Sequence, residues 1–420
     1  MAHRQIPTEK GLDHTLDLLS EGFHFIPNRR EKFQSNIFQT RVMGQKAICL
    51  SGKEAAGVFY DNDFFQRKGA APKRVQKTLF GQNGVQGMDG EDHKHRKRMF
   101  LSLMTPDRLQ ELNNITLAHW ERKAKAWEDL SQIVLFDEAE EIMGRAACEW
   151  AGVPLSENEV KQRTKEFSDM IDAFGGTGSR YKRGKKARER SEKWMQQVIK
   201  QIRSGKLTPP AYTAAYVIAM HTERNGKQMD TSTAAVELIN VLRPIVAIGR
   251  FIMFGALALH EYPETIEHLQ KGDGSYSQMF VQEVRRFYPF GPFTGARVRK
   301  DFLWNHYRLK KGTLVLLDIY GTNHHPDLWE RPETFQPERF RDWEGHPFSF
   351  IPQGGGDHYT GHRCAGEWIT VMLMKTSLEF LTKRMTYDVP TQDLSYNMAR
   401  MPTLPKSGLV IENIRTHEPS

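Results

Sequence analysis

The chain has 420 residues, 39% of them hydrophobic and 26% charged, and 59 Lys and Arg against 51 Asp and Glu give a net charge of +8. That apolar share supports a substantial core and excludes a disordered chain, while so small a basic excess over this length makes no case for a nucleic-acid partner. Three cysteines, Cys49, Cys148 and Cys364, stand far apart with no CxxC spacing, which excludes the usual zinc patterns and a disulfide framework.

The N-terminus has no apolar stretch of the secretory kind. The longest apolar run, residues 245–259, is interrupted by Arg250 and falls short of the roughly 20 residues needed to cross a bilayer, so no transmembrane segment is predicted and a reduced, cytoplasmic setting is expected. An amphipathic opening (Leu12, Leu16, Leu19, Phe23) leads into residues 37–50, IFQTRVMGQKAICL, whose alternation around Met43-Gly44-Gln45 predicts a hairpin. From about 52 to 290 the signals are helical. Thr105-Pro106 marks an N-cap with proline at the first helical position, opening a helix through Trp127. Ser156 with Glu159 predicts a capping box for a helix that ends at the glycines of 175–178. Those glycines follow no strand and precede no Lys-Ser/Thr pair, so they form a loop and not a phosphate cradle. RYKRGKKARER, residues 180–190, predicts a solvated helix face.

Residues 230–260 form one unusually long helix with Pro244 in its middle. Short strands alternate with turns from 293 to 316, residues 365–382 return to helix, and the tail alternates again around Pro402, Pro405 and Gly408. The whole, residues 1–420, reads as a single, mainly α domain with a small β part at 37–50, 293–316 and the C-terminal tail.

Residues 351–369, IPQGGGDHYTGHRCAGEWI, set three glycines and the His362-Arg363 pair before Cys364 and an apolar helix. Helix N-terminus and cations both favour thiolate, and glycines let backbone lie close against something flat. A haem with Cys364 as its axial ligand satisfies both features.

Three motifs follow one another: Glu283 with Arg286, then Arg339 in PERF 53 residues later, then Cys364 in GHRCAGE 25 residues beyond that. Order and spacing resemble the cytochrome P-450 superfamily of haem-thiolate enzymes. The resemblance implies haem b (iron protoporphyrin IX), a fold in which a long kinked helix and the cysteine loop sandwich it, and a buried Glu283, Arg286, Arg339 network that braces that loop. The chain departs from the superfamily pattern at Asp357, where an aromatic is common, and at Thr360, where glycine is usual. It also lacks the acid-alcohol pair of the long helix, carrying Arg243-Pro244 instead.

Arg243 sits in INVLRPIVAI, apolar nearly all round, and a guanidinium buried there needs an anion. Glu237, six residues earlier, lies about 120° away around the helix and is badly placed. Pro244 removes the backbone hydrogen bond to residue 240 and opens the helix locally. The anion is either a distant Asp or Glu or the carboxylate of a substrate.

The Arg-Pro pair, with GMDG at 87–90, resembles the fatty-acid peroxygenase branch, relatives of the olefin-forming decarboxylases. That branch implies hydrogen peroxide as co-substrate, a long-chain fatty acid bound through Arg243, no obligatory redox partner, and hydroxylation at the α or β carbon with side decarboxylation. The substrate carboxylate then serves as general acid and base, and Cys364 and Arg243 are the catalytic pair. Carried over position by position, Gln86 lies over the haem and favours hydroxylation, where decarboxylating members tend to have histidine. Beside Pro244, Phe80, Phe174, Phe290 and Phe293 line an acyl channel or else serve as plain core. Arg67, His93, Lys97 and Tyr288 hold the haem propionates, His93 and Lys97 having a solvated helix face as their plainer alternative. Two rival functions stand beside this one: a reductase-dependent monooxygenase served by an acidic ferredoxin, and a non-catalytic haem or fatty-acid sensor.

Overall fold

The computed structural model describes residues 4–271 and 274–417. Helices make up most of it. The strands of the first half are β1 (Ile37–Val42), β2 (Gln45–Leu50), β3 (Phe65–Gln66) and β4 (Gln132–Val134). Those of the second half are β5 (Phe293–Val298), β6 (Phe302–Trp304), β7 (Tyr307–Leu309), β8 (Leu314–Asp318), β9 (Met385–Asp388) and β10 (Val410–Thr416).

The hairpin forms as anticipated, with β1 antiparallel to β2 and both Met43 and Gly44 at positive φ (51° and 71°), the geometry of a two-residue turn. Its sheet is completed from far along the chain, in the order β1-β2-β8-β5-β3, with β2 and β8 parallel. Burial on β8 is continuous (Leu314 to Asp318), as a strand in the middle of a covered sheet requires. A second sheet, β4-β10-β9, ties the tail to the helical body.

The helix Pro106–Trp127 begins where the cap predicts, with the Thr105 side chain accepting from Arg108 N. The long helix runs Thr231–Glu261, its N-terminus capped by Asp230 through Ser232 N and Thr233 N. From Thr233 to Leu259 every residue except Pro244 is buried, packed mainly by the helices Leu135–Ala151, Gly178–Arg203 and Glu367–Lys383. Among the described residues it alone is long and apolar enough to cross a membrane, but the protein itself covers 94% of its most apolar window, so it is a core helix.

Three local expectations are corrected. No capping box forms at Ser156: its hydroxyl bonds to the Glu159 carboxylate at 2.6 Å, neither side chain caps a backbone N–H, and the helix starts at Val160. The basic run is not wholly solvated, because Arg188 faces inward at 2% exposure, pairing with Glu192 and donating to Leu79 O. The amphipathic opening holds only in part: of its apolar residues Phe23 is buried and Leu19 half-buried, but Leu12 and Leu16 are 92% and 79% exposed.

Candidate active site

A cavity of about 560 Å³ lies between the long helix and the cysteine loop. Cys364 and Arg243 both line it, together with Pro244 and Gln86. Phe80, Phe174, Phe290 and Phe293 form part of its apolar wall, with Phe290 stacked on Phe251 at 4.2 Å between centroids. Outward it reaches Leu18, Leu19 and the exposed Met43 of the hairpin turn.

Cys364 stands two residues ahead of Gly366, the N-cap of the helix Glu367–Lys383. Its amide donates to Gln353 O at 3.1 Å, and Gln353 Nε2 approaches its sulfur at 3.9 Å. Arg285 braces this arrangement, donating to Gln353 Oε1 at 2.9 Å and to Glu367 at 2.5 Å, while Arg363 Nε holds the other Glu367 oxygen at 2.6 Å. Sequence reasoning missed Arg285. It follows Val284 in the EVRR run and points about 100° away from Arg286, which is the signal that could have separated the two roles.

Glu283, Arg286 and Arg339 come together in one buried cluster. Arg286 Nε meets Glu283 at 2.7 Å, Arg339 Nε at 3.1 Å, and all three side chains have little or no exposure. Arg286 Nη1 also donates to Asn323 O, and Asn323 Oδ1 in turn accepts from Ile351 N, which connects the network to the start of the cysteine loop. Within that loop the two departures from the superfamily pattern explain each other. Asp357 Oδ1 accepts from Tyr359 N, Thr360 N and Thr360 Oγ1, a side-chain-capped turn that an aromatic and a glycine could not make. The glycines pack against protein: a Cβ at Gly354 would come within 3.1 Å of the Tyr60 hydroxyl and one at Gly355 within 2.6 Å of Pro347 O.

Cys364 is not primed by its surroundings in the way the local sequence suggests. Burial pushes its thiol up and Glu367 adds to this, outweighing the Gly366 N–H, Lys97 and Arg285. A cationic group held in the cavity beside Cys364 would favour the thiolate.

Arg243 is 7% exposed, and among the described residues no hydrogen bond or ion pair reaches it; its Nε is buried without a partner. Burial, with Arg188 adding, pushes its guanidinium down to about 9. The alternative of a distant Asp or Glu is not realised, and Glu237 is engaged elsewhere, with Arg96 at 3.0 Å.

Arg67, His93 and Lys97 are all buried and line the cavity, so the solvated-face alternative for the last two fails. Their partners are neutral: Arg67 Nη1 donates to Gly295 O, Lys97 Nζ to Arg363 O, and His93 stacks on His362 at 4.0 Å. Burial pushes His93 down to about 3 and Lys97 to about 8. Tyr288 is a correction. Its hydroxyl donates to Glu261 at 2.9 Å and its ring stacks on Phe254 at 4.8 Å, because at the end of the helix Ser275–Phe287 it turns into the core while Phe290 turns to the cavity.

A buried thiol at one side of an apolar cavity, with basic side chains that form no ion pair with an Asp or Glu among the described residues, fits a flat, iron-containing dianion such as haem. Fold and site together define a haem-thiolate oxidoreductase. A family model for cytochrome P450 matches residues 263–411. Among solved structures, cytochrome P450EX alpha (CYP152N1) with myristic acid is 47% identical, with a TM-score of 0.96 over 99% of this chain and 100% of that one. A point variant of cytochrome P450 OleT in complex with arachidonic acid is 38% identical, also at 0.96, over 99% of each chain. A curated relative, beta-amyrin 28-monooxygenase of Solanum lycopersicum, is 24% identical over 92% of this chain and 88% of its own length. The chain belongs to the cytochrome P450 family, in the branch that holds the CYP152 proteins.

Proposed function

We propose that the protein hydroxylates long-chain fatty acids at the α or β carbon with hydrogen peroxide, without an obligatory redox partner. The observation that carries this is Arg243: a buried cation with no anionic partner among the described residues, in the cavity that Cys364 lines. A fatty acid brings the missing charge and an apolar tail for the phenylalanine wall. The crystallised relatives with myristic and arachidonic acid support that substrate class.

Haem, when bound through Cys364 with its propionates toward Arg67, His93 and Lys97, supplies the iron centre that activates peroxide. Arg243 fixes the substrate carboxylate, which places the adjacent carbons at the reacting position first. From Asn240 to Ile248 the long helix offers no acid and no hydroxyl, so the carboxylate held at Arg243 is the group that moves the proton between peroxide oxygens. In net terms hydrogen peroxide and a C–H bond give C–OH and water. Gln86 favours hydroxylation over loss of carbon dioxide.

The test is myristate with peroxide and purified haem-loaded protein, read by mass spectrometry for 2- and 3-hydroxy acids. Product only with ferredoxin, reductase and NADPH in the presence of catalase would make it a monooxygenase. A spectral shift on fatty-acid binding with no product under either condition would make it a sensor.

A further inference from the structure

Glu237 is wholly buried on the long helix, and both of its carboxylate oxygens accept hydrogen bonds. It accepts from Val85 N at 2.8 Å, Arg96 Nη1 at 3.0 Å and Asn240 Nδ2 at 2.9 Å. Two of these donors reach onward. Arg96 Nη1 also donates to Asn83 O at 2.8 Å, and Asn240 Nδ2 reaches Phe80 O at 3.2 Å and Gln86 Oε1 at 3.3 Å. The loop of residues 80–87 is thus held at Phe80, Asn83, Val85 and Gln86, each by Glu237 or by a side chain that Glu237 itself holds. There is no slack at its centre: a Cβ on Gly84 would lie 2.9 Å from Gln86 Oε1, 3.0 Å from Phe80 O and 3.1 Å from Asn240 Nδ2.

Phe80, Val85 and Gln86 all face the cavity that Arg243 and Cys364 share. With the carboxylate anchored at Arg243, the height of this loop decides how the first carbons of the chain can lie. We propose that Glu237 is the positioning residue that sets which carbon is oxidised, by clamping Phe80 and Gln86 over the cavity. The proposal rests on the fatty-acid reading above. A displacement of about 1 Å is enough to change reactivity a hundredfold, and one methylene of side-chain length is on that scale. A buried carboxylate suits the task, because its hydrogen bonds are charge-assisted and about twice as strong as bonds between neutral groups.

Two variants test it from opposite sides. Glu237→Asp withdraws the carboxylate and keeps its charge; Val85→Pro removes the donated N–H and leaves Glu237 and Arg96 intact. In each, the α to β product ratio from myristate shifts at least about threefold. Hydrogen exchange over residues 80–88 accelerates about tenfold or more, as loss of one charge-assisted bond requires. Faster exchange with an unchanged ratio in both variants would overturn the proposal and leave Glu237 a purely structural residue. Unchanged exchange in both would remove the clamp itself. Should one variant not fold, the other decides. Wild-type protein run alongside separates the two levels: if it forms no hydroxy acid the proposed function fails, whereas wild-type product with unaltered variant ratios sinks only this inference.

Discussion

Arg285 Nη2 donates to Gln353 Oε1 at 2.9 Å, and that bond turns the Gln353 amide so that Nε2 faces both Thr370 Oγ1, at 2.9 Å, and the Cys364 sulfur, at 3.9 Å. A donor aimed at a thiolate draws charge from it and raises the potential of the metal it binds. Gln353→Leu should therefore lower the reduction potential of the haem-loaded protein, by about 40 mV if a bond worth about 1 kcal/mol is lost. Spectroelectrochemical titration measures it. An unchanged or higher potential would mean the amide does not reach the sulfur in the loaded site.

Replacing Arg243 separates binding from stability. Arg243→Leu should weaken fatty-acid binding on the order of a hundredfold and abolish peroxide-driven turnover, while the carbon monoxide difference band of the Cys364 thiolate persists. Because the cation is buried with no partner among the described residues, the same change should leave ligand-free stability equal or raise it by about 1 kcal/mol. Urea unfolding at pH 7 without fatty acid reads the second effect. A large loss there would reveal a protein anion for Arg243.

Gly184 tests helix packing. Alanine is the better helix former by about 1 kcal/mol, but its Cβ would come within 2.2 Å of Ala173 Cβ and 2.7 Å of Asp169 O. The clash is with backbone and a side chain that cannot rotate away, so overpacking wins and Gly184→Ala should destabilise by about 1–3 kcal/mol. Denaturant midpoints decide; stabilisation would mean the two helices separate freely.

Two buried groups give opposite acid responses. Burial pushes Asp318 up to about 7, against the Gly321 N–H and Ser51, so the folded state binds the proton first and stability rises as pH falls from 7 towards 3.8. Burial, with Arg286 adding, pushes His324 down to about 3, so the unfolded chain binds the proton first and stability falls as pH drops below 6.5. Each slope is about 1.4 kcal/mol per pH unit. Asp318→Asn should gain on wild type at pH 8 and lose that gain by pH 5, and His324→Gln should flatten the fall between 6.5 and 4.5. Urea midpoints across this range check both signs.

The sequence was most informative where one residue violated its surroundings. Cys364 between a basic pair and a helix, and Arg243 inside an apolar run, announced themselves locally, and the elements that carry them lie where periodicity places them. What stayed hidden depends on contacts made at long range. Glu237 looked unassigned because Val85, its backbone partner, is 152 residues away. Tyr288 was misassigned because nothing local tells which side of a chain turn faces a cavity. Cys364 looked ready to ionise because a sequence displays helix termini and cations but not the desolvation that outweighs them. Asp357 and Thr360 looked like defects one at a time and form a turn as a pair.

The cavity's outer wall, at Leu18, Leu19 and the exposed Met43, has a consequence for which acids the protein distinguishes. An acid too short to cover the phenylalanine wall forfeits about 0.8 kcal/mol for each methylene it lacks. On the fatty-acid reading, the further carbons of a longer acid lie toward Leu18, Leu19 and Met43, the last of them exposed. On that reading, shortening the acid weakens binding step by step with each carbon removed.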